Sequence, residues 1–189
     1  MAVTAFVVDV ETDGPNLATH SMFWFGAVVL TESLRETIEG RMCPIHDTYI
    51  PKALAVSGKT RAEIETWEHP RLVMPRFITW IQEHTRPNTT PRIWSDNTSY
   101  DLMWLTLYIN QFAQLDSPLG HYANNITDQY RGLIAGYKAS GTKIPKEINR
   151  SFTALRKTPH DHNPVNDAVG NAEALLALRS FGLQVAVQG

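Results

Sequence analysis

The sequence predicts an α/β layer fold with a mixed sheet. Three strand-like segments follow one another near the start, the first two rich in Val, Phe and Trp, and further on helical segments alternate with short apolar strands. The length, 189 residues of which 43% are hydrophobic, suits one compact domain over 1–189 with a full core.

The elements follow in order. "TAFVVDV", "SMFWFGAVVL" and "ETIEGRMCPI" read as strands, the first two separated by the turn-forming "DGPN". "TRAEIETWE" and "RLVMPRFITWIQEHT" read as helices, the second kinked or started at Pro75. "RPNTTP" is a loop and "RIWS" a short buried strand. "SYDLMWLTLYINQFAQL" is a helix with Leu102, Leu105, Ile109 and Phe112 on one stripe. "NNIT" reads as a further short strand, followed by the helix "DQYRGLIAGYK". "ASGTKIPKEINRSF" is loop-like or partly helical, and "PVNDAVGNAEALLALRSF" is a last helix with Pro164 in its first turn.

Composition narrows the class. No apolar stretch reaches the ~18 residues of a membrane span. The first residues carry no basic segment before their apolar run and hold Asp9 within it, unlike a signal peptide. The one cysteine, Cys43, excludes an internal disulfide or a cysteine zinc cluster, and a reducing cytoplasm is the simplest compartment. Net charge is −2, yet between Arg131 and His160 seven basic residues face the single acid Glu147. That segment is either solvated surface or a contact for a polyanion.

Chemistry collects at three element ends. In "DVETDG" the carboxylates of Asp9 and Glu11 are two apart on a strand, hence on one face. Two neighbouring carboxylates repel, and a buried unpaired charge is costly or takes up a proton. Unless the strand has run out into solvent, the pair needs a counter-charge, and a divalent cation is the natural one. In "SDNTSYD" a strand passes into a helix, with Asp96 and Asn97 at the junction and Asp101 in the first turns. In "HDHNPVNDA", His162 and Asp167 flank the start of the last helix. Taken singly, these residues could be caps and dipole-favoured acids.

Together they resemble the DEDDh group of the DnaQ-like 3′–5′ exonuclease family. Asp9-Val10-Glu11-Thr12-Asp13-Gly14 is similar to its Asp-x-Glu-Thr-x-Gly motif, and Asp96-Asn97-Thr98-Ser99-Tyr100-Asp101 to its His-Asn-x-x-Phe-Asp motif. His162 and Asp167-Ala168 are similar to its third motif, a histidine, four residues and Asp-Ala. The order and spacing suit the family. "VSGKTRAEIE" and "ITDQYRGLIAG" resemble intervening segments, so the likeness covers nearly the whole chain. There are departures. Asp96 stands where the family has histidine, Trp24 where many members carry Glu, and Asp13 where a small hydroxyl residue is usual.

The resemblance implies a ribonuclease H-like mixed five-stranded sheet with helices on both faces. It implies a metal-dependent 3′–5′ exonuclease acting on single-stranded 3′ ends or overhangs, DNA weakly favoured over RNA. Asp9, Glu11, Asp101 and Asp167 would hold two Mg²⁺ or Mn²⁺ ions, with Asp9 bridging, Glu11 and Asp167 on the nucleophile side and Asp101 on the second ion. His162 would take the proton of the attacking water; its ordinary pKa near ~6.5 suits that task. His160 lies seven residues before Asp167 rather than five and ranks as a loop or phosphate-contact residue. "HDH" could suggest zinc, but no cysteine or third histidine is near it in sequence.

Thr12 and Asn97 are expected substrate contacts, and Lys143, Lys146, Arg150 and Arg156 the expected cations for upstream phosphates. Phe23, Trp24 and Phe25 read chiefly as core, with a stacking surface for a terminal base as the alternative. Two rival classes remain. One is a catalytically silent nucleic-acid-binding module. The other is a phosphodiesterase for very short substrates. No membrane partner is expected, and a homodimer is compatible with the sequence without being derivable from it.

Overall fold

Five strands form one sheet: β1 (Val3–Thr12), β2 (Met22–Val29), β3 (Thr37–Arg41), β4 (Thr90–Ser95) and β5 (Ala123–Asn125), in the order β3-β2-β1-β4-β5. The computed structural model describes residues 2–120 and 122–188. β2 pairs antiparallel with β1 and β3, while β4 pairs parallel with β1 and β5, so the sheet is mixed. The helices are α1 (Pro51–Val56), α2 (Arg61–Ile64), α3 (Pro70–His84), α4 (Thr98–Tyr108), α5 (Ile126–Ala139) and α6 (Pro164–Arg179).

β1 is central and covered on both sides, which is why its run is almost continuously apolar. Phe6, Val8 and Val10 point to one face and join Val73, Phe77 and Ile81 of α3 and Trp104, Leu105 and Tyr108 of α4. Ala5 and Val7 point to the other and join Ala168, Ala172, Leu175 and Leu178 of α6. Asp9 and Glu11 continue the Ala5–Val7 row by the period of two. The apolar row that holds α6 therefore becomes the acidic row beneath α6's first turn. The ladder with β2 skips one residue between Glu11 and Thr12, a bulge at the end of that row.

Three local expectations are corrected. α3 starts at Pro70, after His69 as cap, and carries Pro75 inside, because Pro fits a first turn and the buried stripe Val73, Met74, Phe77, Ile78 and Ile81 holds the helix past the second proline. Of the expected stripe, Leu105, Ile109 and Phe112 are buried in one core, and Leu102 is only half-buried because the inward face of α4 is set by Asp101, Trp104, Leu105 and Tyr108. α4 then runs into a π-helical turn, Ile109–Ala113, closed by Gln114 in the left-handed region (φ 54°). The short helix α1 was not anticipated in "PKALAV"; its one buried side chain, Leu54, offers no periodic signal. The loop-like stretch after α5 contains two 3-10 turns, Lys146–Ile148 and Phe152–Leu155, pinned by buried Ile148 and Phe152.

Asp13, one of the departures from the motif, is fully buried. It accepts hydrogen bonds from the Ser21 N–H and from Arg61 Nη1 (3.0 Å), so it ties the β1–β2 turn to α2. Burial alone would raise its carboxyl, and those partners work against the rise.

Gly26 sets how close α6 comes. A Cβ there would lie 2.3 Å from the backbone of Pro164 and Val165, at the start of α6. Gly26 is also the residue paired with Asp9 across the β1–β2 ladder. Gly26→Ala is expected to lower stability by about 1–3 kcal/mol through overpacking and to push Asp167 away from Asp9. Gly132→Ala on the exposed side of α5, where a Cβ meets nothing within 4 Å, should instead stabilise by about 0.5–1 kcal/mol. Paired urea titrations followed by circular dichroism distinguish these opposite signs.

Candidate active site

Three elements bring four acids to one point. β1 supplies Asp9 and Glu11, the first turn of α4 supplies Asp101, and the first turn of α6 supplies Asp167. The cap Asn163 accepts from the N–H groups of Val165 and Asn166, and Pro164 opens α6, so Asp167 is set one turn in, facing the sheet. One carboxylate oxygen each from Asp9, Glu11 and Asp167 lies within 4.8 Å of the others. Asp101 is 3% exposed and Asp167 1%. Buried Oδ2 of Asp101 and Oδ1 of Asp167 have no hydrogen-bond partner.

The electrostatics follow from burial and, after it, from crowding. Burial first, then the charges of Asp101, Glu11, Asp167 and Asp96, hold the Asp9 carboxyl well above its ordinary value. Burial, then Asp167 and Asp101, pushes Glu11 from 4.5 up to about 8. Burial pushes Asp101 up to about 7, against the pull of the Ser95 hydroxyl and nearby backbone N–H groups, with Asp96 adding to the rise. Such a group either holds protons or binds a cation.

The histidines lie on the same side. His162 Nδ1 is 3.5 Å from Glu11 Oε1, and its backbone N–H donates to Asp167 Oδ2 at 3.1 Å. His162 sits in the left-handed backbone region (φ 59°). His160 Nδ1 is 2.7 Å from Asp167 Oδ1. Asp161, between them, accepts from the Asn163 N–H and from Asn166 Nδ2, which braces the loop onto α6.

The five expected catalytic positions are thus assembled in one place. The other expected residues divide. Thr12 is buried, its hydroxyl donating to the Gly14 carbonyl and paired with the Tyr100 hydroxyl, so it links the first motif to α4. Asn97 is exposed at the start of α4 and makes no capping bond. Lys143, Lys146 and Arg150 are exposed along the segment after α5. Arg156 is turned inward. Its side chain is 7% exposed, donates to Asn171 Oδ1 and Asp96 Oδ2 (3.4 Å), and lies 4.0 Å from Asp167 Oδ1.

The stacking alternative for Phe23, Trp24 and Phe25 is corrected. All three are at most 3% exposed, and Trp24 Nε1 donates to Glu39 Oε1, so they are core. Sequence reasoning missed Tyr100, the inward role of Arg156 and the contact of His160 with Asp167. Only the last had a visible signal, the "HDH" triplet. Beside the acids a cavity of about 460 Å³ is lined by Asp96, Arg156, Lys157, Thr158, Pro159 and His160, among others.

Comparison with known proteins agrees with this geometry. No family model matches the chain. It is 26% identical over 167 residues to the 3′–5′ DNA exonuclease Cap18 of Escherichia coli, covering 88% of this chain and 86% of that protein. It is also 27% identical over 123 residues to a glutamyl-Q tRNA(Asp) synthetase of Symbiobacterium thermophilum, where the match spans 64% of this chain and only 36% of that protein. Among solved structures it is similar to the nuclease domain of 3′hExo, a DEDDh family member bound to rAMP. That match has a TM-score of 0.72 at 15% identity, over 100% of this chain and 97% of that one. E. coli Exonuclease I with a dA16 oligonucleotide superimposes with a TM-score of 0.70 at 16% identity, over 94% of this chain and 41% of that one. The chain has the ribonuclease H-like fold seen in DEDDh 3′–5′ exonuclease structures.

Proposed function

We propose that the chain is a metal-dependent 3′–5′ exonuclease that hydrolyses the terminal phosphodiester of single strands or 3′ overhangs. The observation that carries this is the convergence of Asp9, Glu11, Asp101, Asp167 and His162 from distant parts of the chain. The donor set fits hard divalent cations: it is all carboxylate oxygen, two of those oxygens are buried without partners, and three of the acids have raised pKa values. Asp9, Glu11, Asp101 and Asp167 would hold two Mg²⁺ or Mn²⁺ ions, which when bound supply charge neutralisation at the attacking and leaving oxygens.

The residues' own work is positioning and proton transfer. His162 accepts the proton of the water that attacks phosphorus. The bond to the 3′ oxygen breaks and that oxygen takes a proton from solvent, leaving a nucleoside 5′-monophosphate and a shortened chain with a new 3′ hydroxyl. Glu11, 3.5 Å from His162 Nδ1, orients the imidazole. Upstream phosphates are met by the exposed Lys143, Lys146 and Arg150, while Arg156 offsets the acids from within. DNA is the favoured substrate, on the strength of the DNA exonuclease relative. RNA is the second reading, since similar folds are seen bound to rAMP and named for histone mRNA.

A length series of 5′-labelled DNA and RNA single strands with Mg²⁺ tests the proposal. Stepwise shortening from the 3′ end is expected, and a closed circular strand should survive; its rapid cleavage would refute the exonuclease reading. Asp9→Asn should abolish turnover. His162→Ala should lower it by roughly 10²-fold or more.

Lys143→Glu with Lys146→Glu tests the phosphate track. Each lost contact to a single strand should flatten the slope of log affinity against log salt by about 0.7. Binding would be measured with Ca²⁺ in place of Mg²⁺, and dinucleotide cleavage should change little.

The raised carboxyls make stability depend on pH. They hold protons more tightly folded than unfolded, so without divalent cations their contribution is full in acid. It is lost as pH rises from about 4.5 through about 8. Asp9→Asn, which removes one repelling charge, should therefore melt above the metal-free wild type at pH 8 and lose that advantage near pH 5. For a chain of this size each kcal/mol of relief shows as about 2–4 °C. Excess Mg²⁺ should close the gap from the wild-type side.

A further inference from the structure

We propose a second, chemically different metal site, formed by His160, His162 and Asp167, which takes an imidazole-preferring divalent cation of the Zn²⁺ class and by doing so switches hydrolysis off. One ligand atom from each of these residues lies within 4.8 Å of the other two. The two imidazoles meet edge to face with ring centroids 4.4 Å apart. Asp167 is 1% exposed, and its Oδ1 lies 2.7 Å from His160 Nδ1 yet makes no hydrogen bond of proper geometry. A buried carboxylate oxygen beside a ring nitrogen that does not aim a proton at it is a pair that a cation can join.

The donor set separates this site from the carboxylate one. Two imidazoles and a carboxylate with an open fourth position are ligands for zinc, whose bonds to nitrogen and oxygen are about 2.0–2.2 Å. Ligand atoms on such an ion sit somewhat over 3 Å apart, so small side-chain rotations close the present spread. Mg²⁺ prefers the all-oxygen set of Asp9, Glu11 and Asp167. The near cation, Arg156, stands 4.0 Å from Asp167 Oδ1 and is engaged with Asp96 and Asn171. His160, half-exposed, has no part in the proposed hydrolysis. No third histidine lies near "HDH" in the sequence; the fold supplies the third ligand, Asp167, from α6.

The consequence is competition. Asp167 belongs to both sets, and His162 bound through its lone pair cannot accept a proton. Zn²⁺ therefore inhibits Mg²⁺-supported turnover at concentrations set by His160. This consequence rests on the exonuclease reading, whereas the site itself does not.

The test titrates Zn²⁺ into the full chain with Mg²⁺ in excess, following the imidazole ring ¹⁵N signals by NMR. Ring nitrogens of both His160 and His162 should shift on Zn²⁺ and not on Mg²⁺ alone. His160→Gln should weaken Zn²⁺ binding by at least about 10- to 100-fold, as losses around metal ligands do, while Asp9→Asn should change it far less. The Zn²⁺ concentration that halves hydrolysis, normalised to each variant's own Mg²⁺ rate, should rise in His160→Gln by the same factor as the binding constant. Zn²⁺ affinity unchanged in His160→Gln but lost in Asp9→Asn would overturn the proposal, because the ion would then sit among the carboxylates. Ring shifts that persist in a protein inert toward every labelled strand would uphold the site and remove the exonuclease reading instead.

Discussion

Mutual repulsion of the carboxylates at the end of β1 is the constraint around which the rest of the molecule is arranged. At an effective dielectric of about 20, two full charges about 4 Å apart repel by about 4 kcal/mol. Three or four such groups held together would consume a large share of the roughly 5–15 kcal/mol by which a domain is stable. Burial first, and the neighbouring acids after it, raise the carboxyls of Asp9, Glu11 and Asp101: without a cation, the cheapest relief is to keep protons. The acids stay together because they are fixed at the ends of elements that are themselves held elsewhere. β1 is bonded on both edges and packed on both faces. α6 is held by Ala168, Ala172, Leu175 and Leu178, where each fully buried Leu contributes about 1.5–3 kcal/mol. Apolar burial along the same row thus offsets the repulsion at its end.

Backbone approach decides whether that arrangement is possible at all. Gly26 lets the first turn of α6 rest directly on β2, one strand over from Asp9. Any side chain there would lift the turn that carries Asp167. The loop before α6 is fixed by polar contacts instead: Asp161 braces Asn163 and Asn166, and the His162 N–H reaches Asp167. A rigid helix and a braced loop together place two imidazoles over three acids without burying the imidazoles.

Much of this was legible before any coordinates. The period of two in "VVDVET" put Asp9 and Glu11 on one face, and the caps around Asn163 and Pro164 located the start of α6. The mixed five-stranded sheet followed from the succession of strands and helices and from the family likeness. What stayed hidden was tertiary. α1 has one buried residue and hence no period. Pro75 breaks a helix in isolation, but burial of its neighbours overrides the local preference. The Asp13–Arg61 pair joins residues 48 apart, and nothing local marks either as a partner. Arg156 was expected among solvent-facing cations because it lies in a basic run, yet it lies under the loop and faces inward.

That inward arginine gives the Asp96 departure a physical sense. An aspartate where the family has histidine adds negative potential beside the acids, and it raises both Asp9 and Asp101 further. Left alone, it would worsen the repulsion that the fold already has to bear. Arg156, nearly buried, donates to Asp96 and to Asn171 of α6 and stands near Asp167. One fixed positive charge thereby serves two acids. A guanidinium stays charged at any working pH and holds a carboxylate by directed donors, whereas an imidazole is charged only when protonated. The pair Asp96–Arg156 joins β4's end to the loop before α6 and helps line the cavity beside the acids. Asp96 leaves the acid cluster intact, and its own charge is met by Arg156 from the segment before α6.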